Sequence, residues 1–365
     1  MSSQAKRLFS AFATCAAILG ASFLVIAPIH AASFTTTVFA TGGPVGANSP
    51  DSVTFGNNSL WVEYGNGASS TGGSGSSTIV QYSLAGSVLH IYSIPGSVDG
   101  LKYNPNTGQV WALQNQDANS TLTIINPATQ TTNTFTYGPL YNSMSGSRGL
   151  DDVVFSGSQI FMSVTNPASG TDPVIVQLTN LVSPLLQSAI LASGATGTNR
   201  ATGLQGTIPA TDTDSLKSGP NGSLILTGEA DHSLMFVNNP GQASQSVSFV
   251  NLVSATGSTT GAPDDALFPT AAQGTFYVAD TGANVIYAIT AAGLVPNTSL
   301  YADVGNAFSS VDPTTGVVTP IFTGMTPHGM DFVASPEPGA LGLCAIGLLF
   351  VVVRRRSKGR KELIC

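Results

Sequence analysis

Only 8% of this 365-residue chain is charged, and it holds three cysteines, Cys15, Cys344 and Cys365, all near its ends. Residues 33–334 therefore contain no thiol. That excludes a disulfide framework, a cysteine metal site and a cysteine nucleophile from the body, and it suits an oxidising compartment. Positive charge is scarcer still. The body has four basic side chains, Lys102, Arg148, Arg200 and Lys217, against 17 acidic ones, a net charge of −13. A surface of that sign repels phosphate backbones, so nucleic acid is excluded as a partner. No Gly-x-Ser-x-Gly elbow occurs, nor a Gly-rich loop carrying the lysine of a nucleotide site, which leaves hydrolase and nucleotide chemistry of those kinds without support. What the chain does have is 42% hydrophobic residues in a background rich in Gly, Ser, Thr and Asn. That is enough apolar surface for a packed core and is unlike a disordered acidic protein.

The other eight basic residues sit at the two ends. At the N-terminus, Lys6 and Arg7 precede a nearly unbroken apolar or small-residue run from Leu8 to Ala27, followed by Pro28 and the pair Ala31-Ala32. This is the layout of a secretory signal peptide over residues 1–32. At the other end, residues 339–353 are free of charge and are followed at once by Arg354, Arg355 and Arg356. As a helix the run spans about 22 Å against a hydrocarbon core of about 30 Å, short for a permanent anchor. Arginines resist crossing a bilayer, so the tail is expected in the cytoplasm and the body outside. Pro336, Glu337 and Pro338 stand just before the run.

Pro-Glu-Pro, a short apolar segment and an arginine cluster, in that order at the end of an exported chain, resemble the PEP-CTERM sorting signal, also known as an ice-binding protein C-terminal domain. The resemblance covers residues 335–360. It implies an exosortase-type processing enzyme as partner, a transient inner-membrane intermediate with residues 339–353 as the transmembrane segment, and cleavage near Pro336–Pro338. The mature protein would then lie in the envelope, at the cell surface or in the extracellular matrix of a biofilm. The tail after the arginines runs longer than the pattern usually allows.

Between the ends a unit repeats. The stretches "PDSVTFGNNSLWVEYG", "VDGLKYNPNTGQVWALQ", "LDDVVFSGSQIFMSV", "TDSLKSGPNGSLILTG" and "DDALFPTAAQGTFYVAD" each begin with Asp, one residue and an apolar residue. A short strand with two-fold alternation follows, then a polar turn and a second strand. Asp51, Asp99, Asp151, Asp214 and Asp265 head the units, and "PHGMDFVAS" places His328 in the same position. Further hairpins follow each pair, so each unit is a four-stranded sheet of about fifty residues, the period of a propeller blade. The expected fold is all-β, a propeller of about six blades over residues 33–334. In it "SFTTTVFATGG" and "PHGMDFVAS" meet in one closing blade, and Trp61 and Trp111 pack between blades. "GTFYVADTGANVIYAI" and "TPHGMDF" resemble the NHL and SMP-30-like propellers.

Positions that head the inner strands surround the mouth of the central channel. The spacing thus predicts a ring of Asp51, Asp99, Asp151, Asp214, Asp265 and His328, with Asp152 and Asp264 beside it. Two readings of the ring stand side by side. Converging carboxylates invite a hard cation such as Ca²⁺, which takes six to eight oxygens. Alternatively each Asp caps the loop entering its blade by accepting backbone N–H bonds. The function expected is that of an exported binding or structural module, for polysaccharide or envelope proteins, with no catalytic residue assigned. The alternative is a cation-dependent enzyme of the lactonase or lyase type.

Overall fold

The computed structural model describes residues 31–143 and 148–335. Nearly all of the expected signal peptide, and the sorting segment from Pro336 through Glu337, Pro338 and the 339–353 run to Arg354, Arg355 and Arg356, lie outside the described residues. Among the described residues no helix is long and apolar enough to cross a membrane.

Period-two alternation, broken by short Asn- and Gly-rich turns, folds the body into strands. In the turn between Pro50–Gly56 and Ser59–Tyr64, Asn57 and Asn58 both take positive φ, 51° and 55°, the conformation that a two-residue hairpin loop requires. The strands assemble into six sheets, each with four antiparallel strands, the blades of a β-propeller. Blade one runs outward as Pro50–Gly56, Ser59–Tyr64, Ser76–Ser83 and Val88–Pro95; blade two as Val98–Asn104, Gln109–Gln114, Thr121–Asn126 and Thr131–Thr136. Blade three is Leu150–Ser156, Gln159–Val164, Pro173–Leu178 and Gln187–Ala192. Blade four is Thr213–Ser218, Leu224–Gly228, Ser233–Asn238 and Ser246–Asn251, widened at its outer edge by Thr196–Asn199 and Gln205–Thr207. The innermost strands neighbour one another in chain order, and the last returns to the first. Trp61 and Trp111 are fully buried at equivalent second-strand positions, opposite Thr54 and Lys102.

The last two blades depart from the sequence-based expectation. "GTFYVAD" reads as the second strand of the unit headed by Asp265, but the strand that contains it, Gln273–Asp280, belongs to blade six, between Val285–Ala292 and the innermost strand Pro327–Ala334. Blade five closes instead with Leu300–Val304, Ala307–Val311 and Val317–Thr323 outside Pro263–Leu267, and the short Val253–Ser254 flanks its edge. The hairpin 273–292 thus leaves blade five for blade six, and the chain then returns to finish blade five. The reason is topological. The body's final strand is the innermost one of blade six, so that blade's second and third strands must come from earlier in the chain, and its outermost strand is Ser33–Thr41. The ends meet in one sheet, as expected. Phe276, on the crossing hairpin, holds the junction: its ring lies 4.8 Å from Phe332 in blade six and 5.0 and 5.1 Å from Tyr301 and Phe308 in blade five. Aromatic packing of this kind adds about 0.5–1.5 kcal/mol per pair to the burial itself.

The crossing can be checked chemically. Thr275 faces Val333 across the strand pair, so Thr275→Cys with Val333→Cys is expected to form a disulfide on mild oxidation, seen by peptide mapping. A sequential blade five, with Gln273–Asp280 beside Pro263–Leu267, would leave both thiols free.

Candidate cation site at the channel mouth

Every innermost strand carries the same irregularity. Register slips by one residue between Pro50 and Val53, Val98 and Leu101, Leu150 and Val153, Thr213 and Leu216, Pro263 and Ala266, and Pro327 and Met330. Each slip is a β-bulge, two residues facing one, which turns neighbouring side chains in different directions. The first bulge residues are Asp51, Asp99, Asp151, Asp214, Asp264 and His328. The second are Ser52, Gly100, Asp152, Ser215, Asp265 and Gly329.

The second set joins the blades. Ser52 donates its hydroxyl to Asp99 O. A Cβ at Gly100 or Gly329 would collide with the carbonyl of Asp151 or Asp51 in the next blade, so close approach demands glycine there. Asp152 Oδ2 accepts the N–H of Leu216 at 3.1 Å, and Asp265 Oδ2 that of Met330 at 2.8 Å, while their Oδ1 atoms accept the N–H of the following residue. Asp265 also pairs with Lys217 at 2.6 Å. The placement of Asp265 in the ring is therefore corrected to Asp264. The cause lies one residue further on. Ala266 fills the buried position that Val53, Leu101, Val153, Leu216 and Met330 occupy elsewhere. Because Ala266 is small, Leu267 reads as the apolar anchor of the repeat, and the unit headed by Asp265 is displaced by one residue.

The first set lines a cavity of about 280 Å³ at the mouth of the channel. It forms two trios. Ligand atoms of Asp99, Asp151 and Asp214 lie within 4.8 Å of one another, and so do those of Asp51, Asp264 and His328. In the second trio His328 Nδ1 stands 3.2 Å from Asp264 and 3.4 Å from Asp51. Hydrogen bonds to Asp264, then Asp51, push the imidazole up to about 12. Protonated in this way, the ring balances the charge of the two carboxylates beside it. The first trio has no such cation. Burial, then repulsion among the acids, raises Asp151 and Asp214 well above the carboxylate range, and burial likewise pushes Asp99 up to about 7.

The two sequence readings thus divide between the two bulge positions. Asp152 and Asp265 accept backbone N–H bonds. Asp151, only 3% exposed, has an Oδ1 atom with no hydrogen-bond partner. A buried carboxylate oxygen without a donor is costly. Three carboxylates converging there offer an all-oxygen set that fits a hard divalent cation such as Ca²⁺. Gln116 donates to Asp99 at 3.3 Å, and Asp117, Asp212 and Glu229 line the same cavity. Gln116, Asp117 and Glu229 come from loops beyond second strands, Asp212 from the segment entering the innermost strand of blade four, and none carries a repeat signature. Asp264 did carry one, the doublet it forms with Asp265 in register with Asp151-Asp152.

No family model and no curated protein matches the sequence. Solved structures to which the chain is similar include a streptogramin B lyase (12% identity over 84% of this chain and 75% of that one, TM-score 0.44). The periplasmic gluconolactonase PpgL of Pseudomonas aeruginosa is another (12%, 79% and 89%, TM-score 0.45). A chain of a nidogen–laminin complex is a third (10%, 80% and 87%, TM-score 0.48). At this identity none of them bears on activity.

The raised carboxyls set a pH dependence. An aspartate in the unfolded chain titrates near 3.9, whereas folded Asp99 holds its proton to about 7. The folded state binds more protons across that interval, so stability falls as pH rises through it. His328 acts in the same sense, its contribution complete below about 6.5 and declining above. In EDTA the thermal midpoint is expected to fall from pH 5 to pH 8, and Asp99→Asn to flatten the slope. A midpoint that climbs over that range would contradict the buried-acid description.

Proposed function

We propose that this chain is an exported β-propeller that holds a divalent cation, Ca²⁺ foremost, on Asp99, Asp151 and Asp214, and serves as a binding module in the cell envelope or extracellular matrix. The observation that carries the reading is the partnerless Oδ1 of buried Asp151 between two further carboxylates. A cation there replaces the protons that burial would otherwise force onto the trio. Ca²⁺ takes six to eight oxygens, more than the trio offers, so hydroxyl or carboxylate oxygens of a polysaccharide entering the cavity would complete the set. Export follows from the residues outside the described body. The resemblance of Pro336 to Arg356 to a PEP-CTERM signal supports passage through the inner membrane and processing by an exosortase-type enzyme.

A second reading, a cation-dependent lactonase- or lyase-type enzyme, draws on Glu229. Burial raises this carboxyl beside the trio, toward the range of a general acid or base at neutral pH. The imidazolium state of His328 weighs the other way, since a protonated ring cannot serve as a base.

Calcium titration followed by thermal unfolding tests the cation. A ligand at one hundred times its Kd stabilises by about 2.7 kcal/mol, so millimolar Ca²⁺ is expected to raise the midpoint by several degrees at pH 7.5, and Asp151→Asn or Asp214→Asn to abolish the rise. A midpoint unmoved by millimolar Ca²⁺ or Mg²⁺ removes the cation from the account. Sorting is read from the mass of the mature protein recovered from its native host. The expected mass lacks the residues beyond Pro338; a mass that retains them makes residues 339–353 a plain anchor.

A further inference from the structure

The same inner strands end in a second cavity, at the opposite mouth of the channel, about 260 Å³ in volume. We infer that it is a separate binding site for one neutral hexopyranose unit. Its walls are aromatic. Tyr103, Phe155, Phe268 and Phe332 stand two residues past the buried anchor, at or just beyond the ends of the inner strands of blades two, three, five and six, and each is half-buried and lines the cavity. Such surfaces take up the apolar face of a flat ring, and the volume, below that of pockets for drug-sized molecules, suits a single ring.

The polar groups of the cavity decide what kind of ring. Lys102 Nζ makes no hydrogen bond to any described residue, its nearest acid being Asp152 at 3.6 Å. Asp331 accepts one backbone N–H on each oxygen, from Phe55 at 2.7 Å and from Phe332 at 2.8 Å, and each oxygen keeps a further acceptor site. Lys217 is committed to Asp265 and to Met330 O at 3.0 Å, with one N–H remaining. Unspent donors and acceptors therefore lie side by side. The charges do not invite an ion. Two ammonium groups stand among three carboxylates, Asp152, Asp265 and Asp331, so an anion would add to a net negative region, and a cation would be set against Lys102 and Lys217. Vicinal hydroxyls satisfy both kinds of group without adding charge, and a pyranose presents them on the rim of a ring whose face is apolar. The site stands at the far end of the channel from the cation trio and does not depend on it.

The test is calorimetry and saturation-transfer NMR on the full-length protein in EDTA. The ligands are the methyl glycosides of glucose, galactose, mannose and N-acetylglucosamine, with glucuronate and glucosamine as the charged comparisons. At least one neutral glycoside is expected to bind ten-fold or more tightly than either charged sugar. Thr270→Trp, which fills the cavity from its exposed rim, should abolish binding without moving the thermal midpoint. Lys102→Met should weaken it at least ten-fold. The proposal is overturned if no neutral glycoside binds in EDTA, if a charged sugar binds as tightly, or if Thr270→Trp leaves binding intact.

Discussion

The inner edge of every propeller blade carries backbone amides with no strand beside them, and much of this molecule follows from how those amides are satisfied. A buried N–H without an acceptor is costly. Here the acceptors are side chains of the neighbouring blade: Thr54 for Tyr103, Asp152 for Leu216, Asp265 for Met330 and Asp331 for Phe55. Reaching across requires the inner strands to approach closely, and the bulge with a small or acidic second residue allows it. The same bulge turns the preceding residue into the channel. Blade cohesion and the carboxylate ring are therefore two consequences of one local distortion, repeated six times.

Scarcity of positive charge gives that arrangement its electrostatic character. Each of the four basic residues of the body stands beside an acidic or aromatic partner. Lys102 and Lys217 stand beside the joining aspartates. Arg148 binds Asp172 at 2.7 Å, and Arg200 lies over the ring of Phe236 while donating to Ser248 and to Pro313 O. Within the ring His328 is the one cationic group, so one trio is neutralised internally and the other is not. Acidic groups thus gather at one mouth of the channel, and the opposite mouth mixes ammonium groups, carboxylates and aromatic rings.

Closure imposes a second constraint. A circular array of blades must tie its last member to its first, and here the tie uses the first strand of the body as the outermost strand of blade six and the last as its innermost. Two strands remain to be supplied between them. The hairpin 273–292 supplies them by stepping ahead of blade five, and the aromatic cluster of Phe276, Tyr301, Phe308 and Phe332 welds the two blades. Unfolding of either blade would expose that cluster, so the two are expected to behave as one cooperative unit.

The amino-acid sequence by itself determined the number of blades, the meeting of the two ends, the burial of Trp61 and Trp111, and the identity of five of the six ring positions. These rest on short-range patterns: two-fold alternation, turn residues such as Asn57-Asn58, and an acid at a constant offset from an apolar anchor. Only the tertiary structure decided that Asp264 and not Asp265 faces the channel, because that depends on which of two adjacent acids meets an N–H from the next blade. It alone separated aspartates that join blades from those left to converge, and it alone sent 273–292 into blade six. Strand pairing across blades is a property of the closed ring. A strand carries the pattern of its own two faces but no record of which neighbour lies beside it.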